Sequence, residues 1–70
     1  MRYLVVLEET STGYSTYSPD VPGCVATGKT VDDAEREVAA AIAFHLEGMR
    51  SEGLELPAPH FSSTYVDIPA

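Results

Sequence analysis

The residues of this chain that could take part in catalysis are few. A cysteine nucleophile needs a base beside it, and the chain has one cysteine, Cys24, and two histidines, His45 and His60. His45 falls within a predicted helix and His60 within a proline-containing connector, and no spacing brings either to Cys24. A cysteine in a short predicted strand is usually a small buried hydrophobic residue. We therefore predict no catalytic residue, and an enzyme that uses Cys24 or clustered acids is the least favoured class.

Paired acidic residues are a second possible source of chemistry, because neighbouring carboxylates bind metal ions. Glu8 and Glu9 lie where a predicted strand enters a turn. Asp32 and Asp33 lie at the start of a predicted helix, where negative charge is favourable. No third acid is placed to complete either pair, and no glycine loop of the phosphate-binding pattern opens a helix. The sequence therefore predicts no metal and no cofactor.

Size and charge limit the remaining functions. A chain of 70 residues with a single cysteine is expected to form one domain, residues 1–70, without a disulfide. Such a chain buries only about 60% of the surface that it exposes when unfolded, so we expect a homo-oligomer or stabilisation by a partner. Eleven acidic and four basic residues give a net charge of −7, which favours a basic partner over nucleic acid or an anionic membrane.

The apolar segments predict a cytoplasmic protein. The run at residues 3–7 is too short for the core of a signal peptide. No stretch approaches the roughly 20 apolar residues that span a bilayer. A single cysteine also fits a reducing compartment.

Hydrophobic patterning predicts an α+β fold with the order β-β-β-α-β. Residues 2–8 are predicted to form a strand, and within it residues 3–7 are apolar on both faces, which is typical of a central strand. Residues 14–18 and 24–27 predict two further strands, which complete an antiparallel meander. A last strand is predicted over residues 63–68, and the crossover helix before it implies parallel pairing in a small mixed sheet.

One long helix is predicted to begin after Thr30, whose hydroxyl caps the first turn, and to end at Gly53. An apolar stripe at helical spacing packs this helix on one face of the sheet. Its members are Val31, Ala34, Val38, Ile42, His45 or Leu46, and Met49. Phe44 lies on the opposite, polar face, so it either packs under the proline connector or contacts another chain.

The segment from residue 17 to residue 59, YSPDVPGCVATGKTVDDAEREVAAAIAFHLEGMRSEGLELPAP, carries the most distinctive motif. It resembles the N-terminal domain of HicB-family antitoxins in its Tyr–Ser–Pro–Asp–x–Pro–Gly–Cys run, its Gly–x–Thr helix start and its helix end. The preceding segments RYLVVLEE and GYSTYSPD fit as well, so the resemblance covers nearly the whole chain.

The resemblance implies a partial ribonuclease-H-like fold and an antitoxin that binds and blocks a small, basic, mRNA-cleaving toxin called HicA. Ribonuclease H activity would need a carboxylate in the middle of the first strand, where this sequence has only the apolar run at residues 3–7. Many HicB proteins continue into a DNA-binding segment, and none follows the last predicted strand, so we expect no separate DNA-binding domain. The alternative is an orphan HicB-like homo-oligomer that acts as a scaffold or senses a small molecule.

We interpret the motif mainly as architecture, because prolines restrict the backbone and glycine permits conformations closed to other residues. Its structural residues are Pro19, Pro22, Gly23, Cys24, Gly28 and Thr30. Tyr17 and Asp20 are expected to be exposed members of the loop. Together with Phe44, they are the candidate contacts with a toxin.

Overall fold

Three strands form the sheet, with turns between them at the predicted places. In the computed structural model, which describes residues 1–70, these strands are β1 Val6–Thr10, β2 Gly13–Tyr17 and β3 Val25–Gly28. β2 pairs antiparallel with both of its neighbours, so the strand order is β1-β2-β3. The predicted antiparallel meander is confirmed.

One helix, α1 Val31–Ser51, covers one face of the sheet. Thr30 is its N-cap, and the Thr30 side chain accepts a hydrogen bond of 3.1 Å from the backbone N–H of Asp33. The chain leaves the helical conformation at Gly53, whose φ is +73°. No helix in the structure combines the length and the apolar character that crossing a membrane requires.

The hydrophobic core lies between α1 and the sheet. Val38 and Ile42 of α1 pack against Val21 and Cys24, which come from the loop between β2 and β3. Half-buried apolar side chains surround this cluster: Tyr3, Val5, Ala26 and Leu46. The helix approaches β3 closely because position 28 is glycine; a Cβ atom there would lie 2.8 Å from the Cα atom of Ala34.

The strand predicted at residues 2–8 differs from β1 in both its bounds and its place in the sheet. β1 begins at Val6 because its partner β2 ends at Tyr17, opposite Val6, and the chain then turns. Upstream, the Ser18 hydroxyl donates a 2.8 Å hydrogen bond to the carbonyl of Leu4. The predicted central position is wrong, because β1 is an edge strand.

The α+β class is confirmed as three antiparallel strands and one helix, but the last predicted strand, residues 63–68, does not form. Residues 54–70 contain neither helix nor strand, and every residue from position 58 onward is exposed. A strand needs a partner edge, and this segment pairs with neither free edge of its own sheet. The sheet is consequently antiparallel throughout rather than mixed.

Candidate functional site

Two consecutive β-turns form the loop between β2 and β3. The backbone N–H of Val21 donates to the carbonyl of Ser18 at 3.2 Å, and that of Cys24 donates to the carbonyl of Val21 at 3.3 Å. Gly23, in the third position of the second turn, has a φ of +89°, as a type II turn requires. The second position of each turn is a proline, whose fixed φ suits it: Pro19 and Pro22. Val21, the residue that the two turns share, is completely buried.

Asp20 lies inside this loop and holds a distant part of the chain. Its buried carboxylate accepts hydrogen bonds of 3.2 Å from the backbone N–H groups of His60 and Phe61. The Nδ1 atom of the exposed His60 ring lies 2.9 Å from Oδ1 of Asp20. The expectation that Asp20 is an exposed member of the loop is therefore wrong. Its side chain anchors the connector after α1, a role that sequence spacing did not suggest.

Cys24 and His45 are both among the residues that line the groove between β3 and α1. The Sγ atom of Cys24 nevertheless makes only a weak contact, 3.8 Å from the carbonyl oxygen of Ala41. Burial raises the pKa of the Cys24 thiol, whereas a reactive cysteine needs a lowered pKa. No three His, Cys, Asp or Glu side chains converge on a possible metal position.

Exposed apolar side chains form a patch along the free edge of β3. We call it the β3-side surface, and it consists of Tyr17, Val25, Phe44 and Leu54. Tyr17 is the cross-strand partner of Val25. Val25, Phe44 and Leu54 line one groove of about 510 Å³ between β3 and α1. Phe44 is 83% exposed. The predicted alternative in which it packs under the proline connector is therefore wrong, and its contact with another chain stays a prediction.

Acidic side chains flank the β3-side surface. Glu37 and Glu47 lie seven residues before and three residues after Phe44, on the same side of α1. Glu52 lines the groove itself. Of these three, Glu47 pairs with the exposed Arg50 at 3.6 Å, and the other two have no basic partner within 4.0 Å. An apolar centre with an acidic rim suits a partner whose own rim is basic.

A second groove, of about 430 Å³, lies on the other side of α1, between the helix and residues 1–5. We call it the β1-side groove. The side chains that matter here are Tyr3, Val5, Ala39, Ala43, Leu46 and Leu56. The sequence analysis did not identify this groove, or Val25 and Leu54 of the β3-side surface. One feature of the sequence could have indicated this groove. Residues 3–7 are apolar on both faces, whereas an edge strand needs only one apolar face.

A family model and a curated relative match this chain. The family model described as "HicB_like antitoxin of bacterial toxin-antitoxin system" matches residues 3–70. An uncharacterized 14.9 kDa protein of Haemophilus phage HP1 (strain HP1c1), from the rep-hol intergenic region, is 38% identical over 69 residues. This alignment covers 99% of the present chain and 52% of the phage protein, so the chain spans about half the length of that relative.

Two solved structures are also similar. A chain of a HicA3 and HicB3 toxin-antitoxin complex superposes with a TM-score of 0.70 at 33% identity, covering 86% of this chain and 70% of that one. The crystal structure of antitoxin HicB3 gives a TM-score of 0.70 at 35% identity, covering 81% of this chain and 42% of that one.

Proposed function

The chain belongs to the HicB-like antitoxin family, and on this premise we propose that it binds a small, basic, mRNA-cleaving toxin of the HicA type and neutralises it by covering it. The observation that carries the proposal is the β3-side surface, an exposed apolar patch with an acidic rim on a chain of net charge −7. The complex of HicA3 and HicB3 among the similar structures supports a partner of this kind.

Phe44 and Val25 are the proposed anchors of the interface. Their exposed fractions are 83% and 70%, so docking would remove much apolar area from water. Aromatic residues near the centre of an interface commonly carry most of the binding free energy. Tyr17, beside Val25 in the sheet, extends the same surface. Asp20 has no place in this interface, because its carboxylate is buried and already bonded within the chain.

The acidic rim has a separate effect, on how fast the partner binds. Opposite charges on two surfaces raise the association rate, and salt reduces this contribution because it screens exposed charges. Glu37 and Glu52 are suited to this role, since neither is engaged by a basic side chain of the chain itself. Neutralisation in the cytoplasm would then proceed by binding alone, with no reaction performed by the antitoxin.

Copurification and RNA cleavage test this proposal. The chain is coexpressed with the product of the neighbouring gene, and cleavage of an mRNA by that product is measured with and without the chain. We expect a complex and loss of cleavage. Phe44→Ala should raise the dissociation constant by roughly 30-fold or more, which corresponds to about 2 kcal/mol. Val31→Ala, a partly exposed apolar residue at the start of the same helix, is the matched control and should leave binding within about twofold.

Either of two results would contradict the proposal. One is that the neighbouring protein neither binds nor cleaves RNA, which would favour the orphan scaffold or sensor. The other is a complex whose affinity is unchanged by Phe44→Ala, which would place the toxin on a different surface. Raising the salt concentration from 50 to 500 mM should slow association in the wild-type complex; a salt-independent rate would exclude the role of the acidic rim.

A further inference from the structure

The chain exposes more surface than a folded monomer of its mass. A monomer of 7.5 kDa is expected to expose about 4,200 Å², whereas this one exposes 5535 Å², an excess of roughly 1,300 Å². Its radius of gyration is 13.9 Å, against about 11 Å for a compact chain of this length. Its longest dimension, 50 Å, is nearly twice the next, 26 Å. The shape indicates that part of the chain is not packed on its own domain.

The unpacked part is the segment after the connector. Tyr65, Val66 and Ile68 are 100%, 73% and 74% exposed, although all three favour strands. Residues at every second position of a strand point to the same face, so Val66 and Ile68 would form one apolar face with Thr64. We call residues 63–68 the tail strand. It has the pattern of a half-buried strand and lacks a surface to bury against.

The sheet has an unpaired edge at β1, where a further strand could be added. Residues 3–7 are apolar on both faces, as in a central strand, yet β1 has a partner on one side only. The β1-side groove lies beside this edge, between residues 1–5 and α1. A fourth strand added at this edge would place one face of its side chains over the groove. Its Ala39 and Ala43 are small enough to leave room for branched side chains.

The tail strand is kept away from this edge of its own molecule. The Tyr3 hydroxyl donates a 2.6 Å hydrogen bond to the carbonyl of Pro57. Three residues later, Asp20 holds the backbone of His60 and Phe61. These contacts direct the chain past the start of β1 to the β2–β3 loop, and from there it leaves the domain.

We propose that two copies of this chain exchange their tail strands, so that residues 63–68 of each copy pair with the β1 edge of the other. Val66 and Ile68 then lie in the partner's β1-side groove. The excess exposed surface, roughly 1,300 Å² per chain, is enough for the roughly 800 Å² per partner that a stable interface buries. Reciprocal exchange closes the assembly as a symmetric dimer.

Matched charge substitutions test the exchange. One chain has a mass of 7.5 kDa. Light scattering after size exclusion should give the wild type twice this mass at 50 μM. Val66→Asp places a charge on the buried face of the tail strand and should raise the dimer dissociation constant at least about tenfold. Ser63→Asp adds the same charge in the same segment on the opposite face and should leave the dimer intact. Both positions are exposed within one chain, so both variants should keep the helix. Circular dichroism checks this expectation.

Complementation identifies the groove that receives the tail. Ala43→Arg, at an exposed helix position, blocks the β1-side groove but leaves the tail strand unchanged. Val66→Asp has an intact groove, so mixing the two variants should give a heterodimer in which the tail strand of Ala43→Arg lies in the groove of Val66→Asp. Neither variant should dimerise alone. Phe44→Ala, on the other side of α1, should remain a dimer.

Three results would overturn the exchange. They are a wild-type monomer at 50 μM, a dimer that survives Val66→Asp, and the absence of a heterodimer in the mixture. A monomeric wild type whose tail amides become protected from hydrogen exchange only in the toxin complex would assign the segment to the toxin instead. This outcome would refute the exchange but not the proposed function. A dimer that binds no toxin would refute the proposed function but not the exchange.

Discussion

Replacing Asp20 by asparagine tests how the loop between β2 and β3 holds the segment after α1. Asparagine keeps the shape of the side chain but replaces one of the two carboxylate oxygens with an NH₂ group. Both oxygens of Asp20 now face N–H donors, at 3.2 Å from the backbone of His60 and Phe61. The substitution therefore removes the negative charge and sets one donor against another.

The expected cost is large for a domain of this size. A hydrogen bond to a charged group contributes about 1.5–3 kcal/mol, and asparagine loses at least one and weakens the other, so we expect a loss of roughly 2–4 kcal/mol. The contact with the His60 ring adds little, about 0–1 kcal/mol, because that ring is 75% exposed. A domain of 70 residues has a total stability of roughly 4–10 kcal/mol. The substitution should consequently remove a substantial fraction of it.

Urea denaturation, followed by circular dichroism at a fixed protein concentration, measures this loss. Hydrogen exchange at the His60 and Phe61 amides measures the local effect, and both amides should lose protection. Glu9→Gln removes the same charge from an exposed position of β1 and should shift the free energy of unfolding by less than about 0.5 kcal/mol. Unchanged denaturation together with unchanged amide protection in Asp20→Asn would refute the anchoring role.

Two further pairs of substitutions test the approach of α1 to the sheet and the buried hydroxyl of Thr16. Gly28→Ala should destabilise the fold by about 2 kcal/mol or more, because the added Cβ would lie 2.8 Å from Cα of Ala34. Gly48→Ala is the control within α1, because a Cβ at that position meets no atom within 4 Å. It should stabilise the fold by about 0.5–1 kcal/mol in the same denaturation assay. Thr16→Val should stabilise the fold by about 1 kcal/mol, because it removes a buried hydroxyl without a hydrogen-bond partner. Thr27→Val, at an exposed strand position, controls for strand propensity, and equal midpoints for the two valine variants would contradict this reasoning.

Local signals in the sequence were sufficient for the meander, the helix and its cap. Thr30 begins α1 and Gly53 follows its end because capping depends on neighbouring residues alone. The position of Phe44 on the helix face away from the buried stripe also follows from helical periodicity. These features need no knowledge of how distant segments meet.

The features that sequence analysis missed depend on contacts between distant positions. Asp20 was expected to be exposed because aspartate in a turn usually is, but its partners lie 40 and 41 residues further along the chain. Pattern alone could not reveal that pairing. The two errors in the sheet share one cause: the apolar pattern of residues 2–8 and of residues 63–68 was assigned to pairing within a single chain, whereas the structure leaves both without the expected neighbour.

The placement of the two proposed interfaces on α1 makes them independent. At 100° per residue, Ala39, Ala43 and Leu46 cluster on one flank of the sheet-facing stripe, and Ala41, Phe44 and Gly48 lie on the opposite flank. A tail strand in the β1-side groove thus leaves the β3-side surface uncovered in both copies of a dimer. Phe44→Ala should then alter toxin affinity without altering mass, and Val66→Asp should alter mass without abolishing the toxin contact. If one substitution changed both properties, the two surfaces would have to be coupled through the core that α1 shares with the sheet.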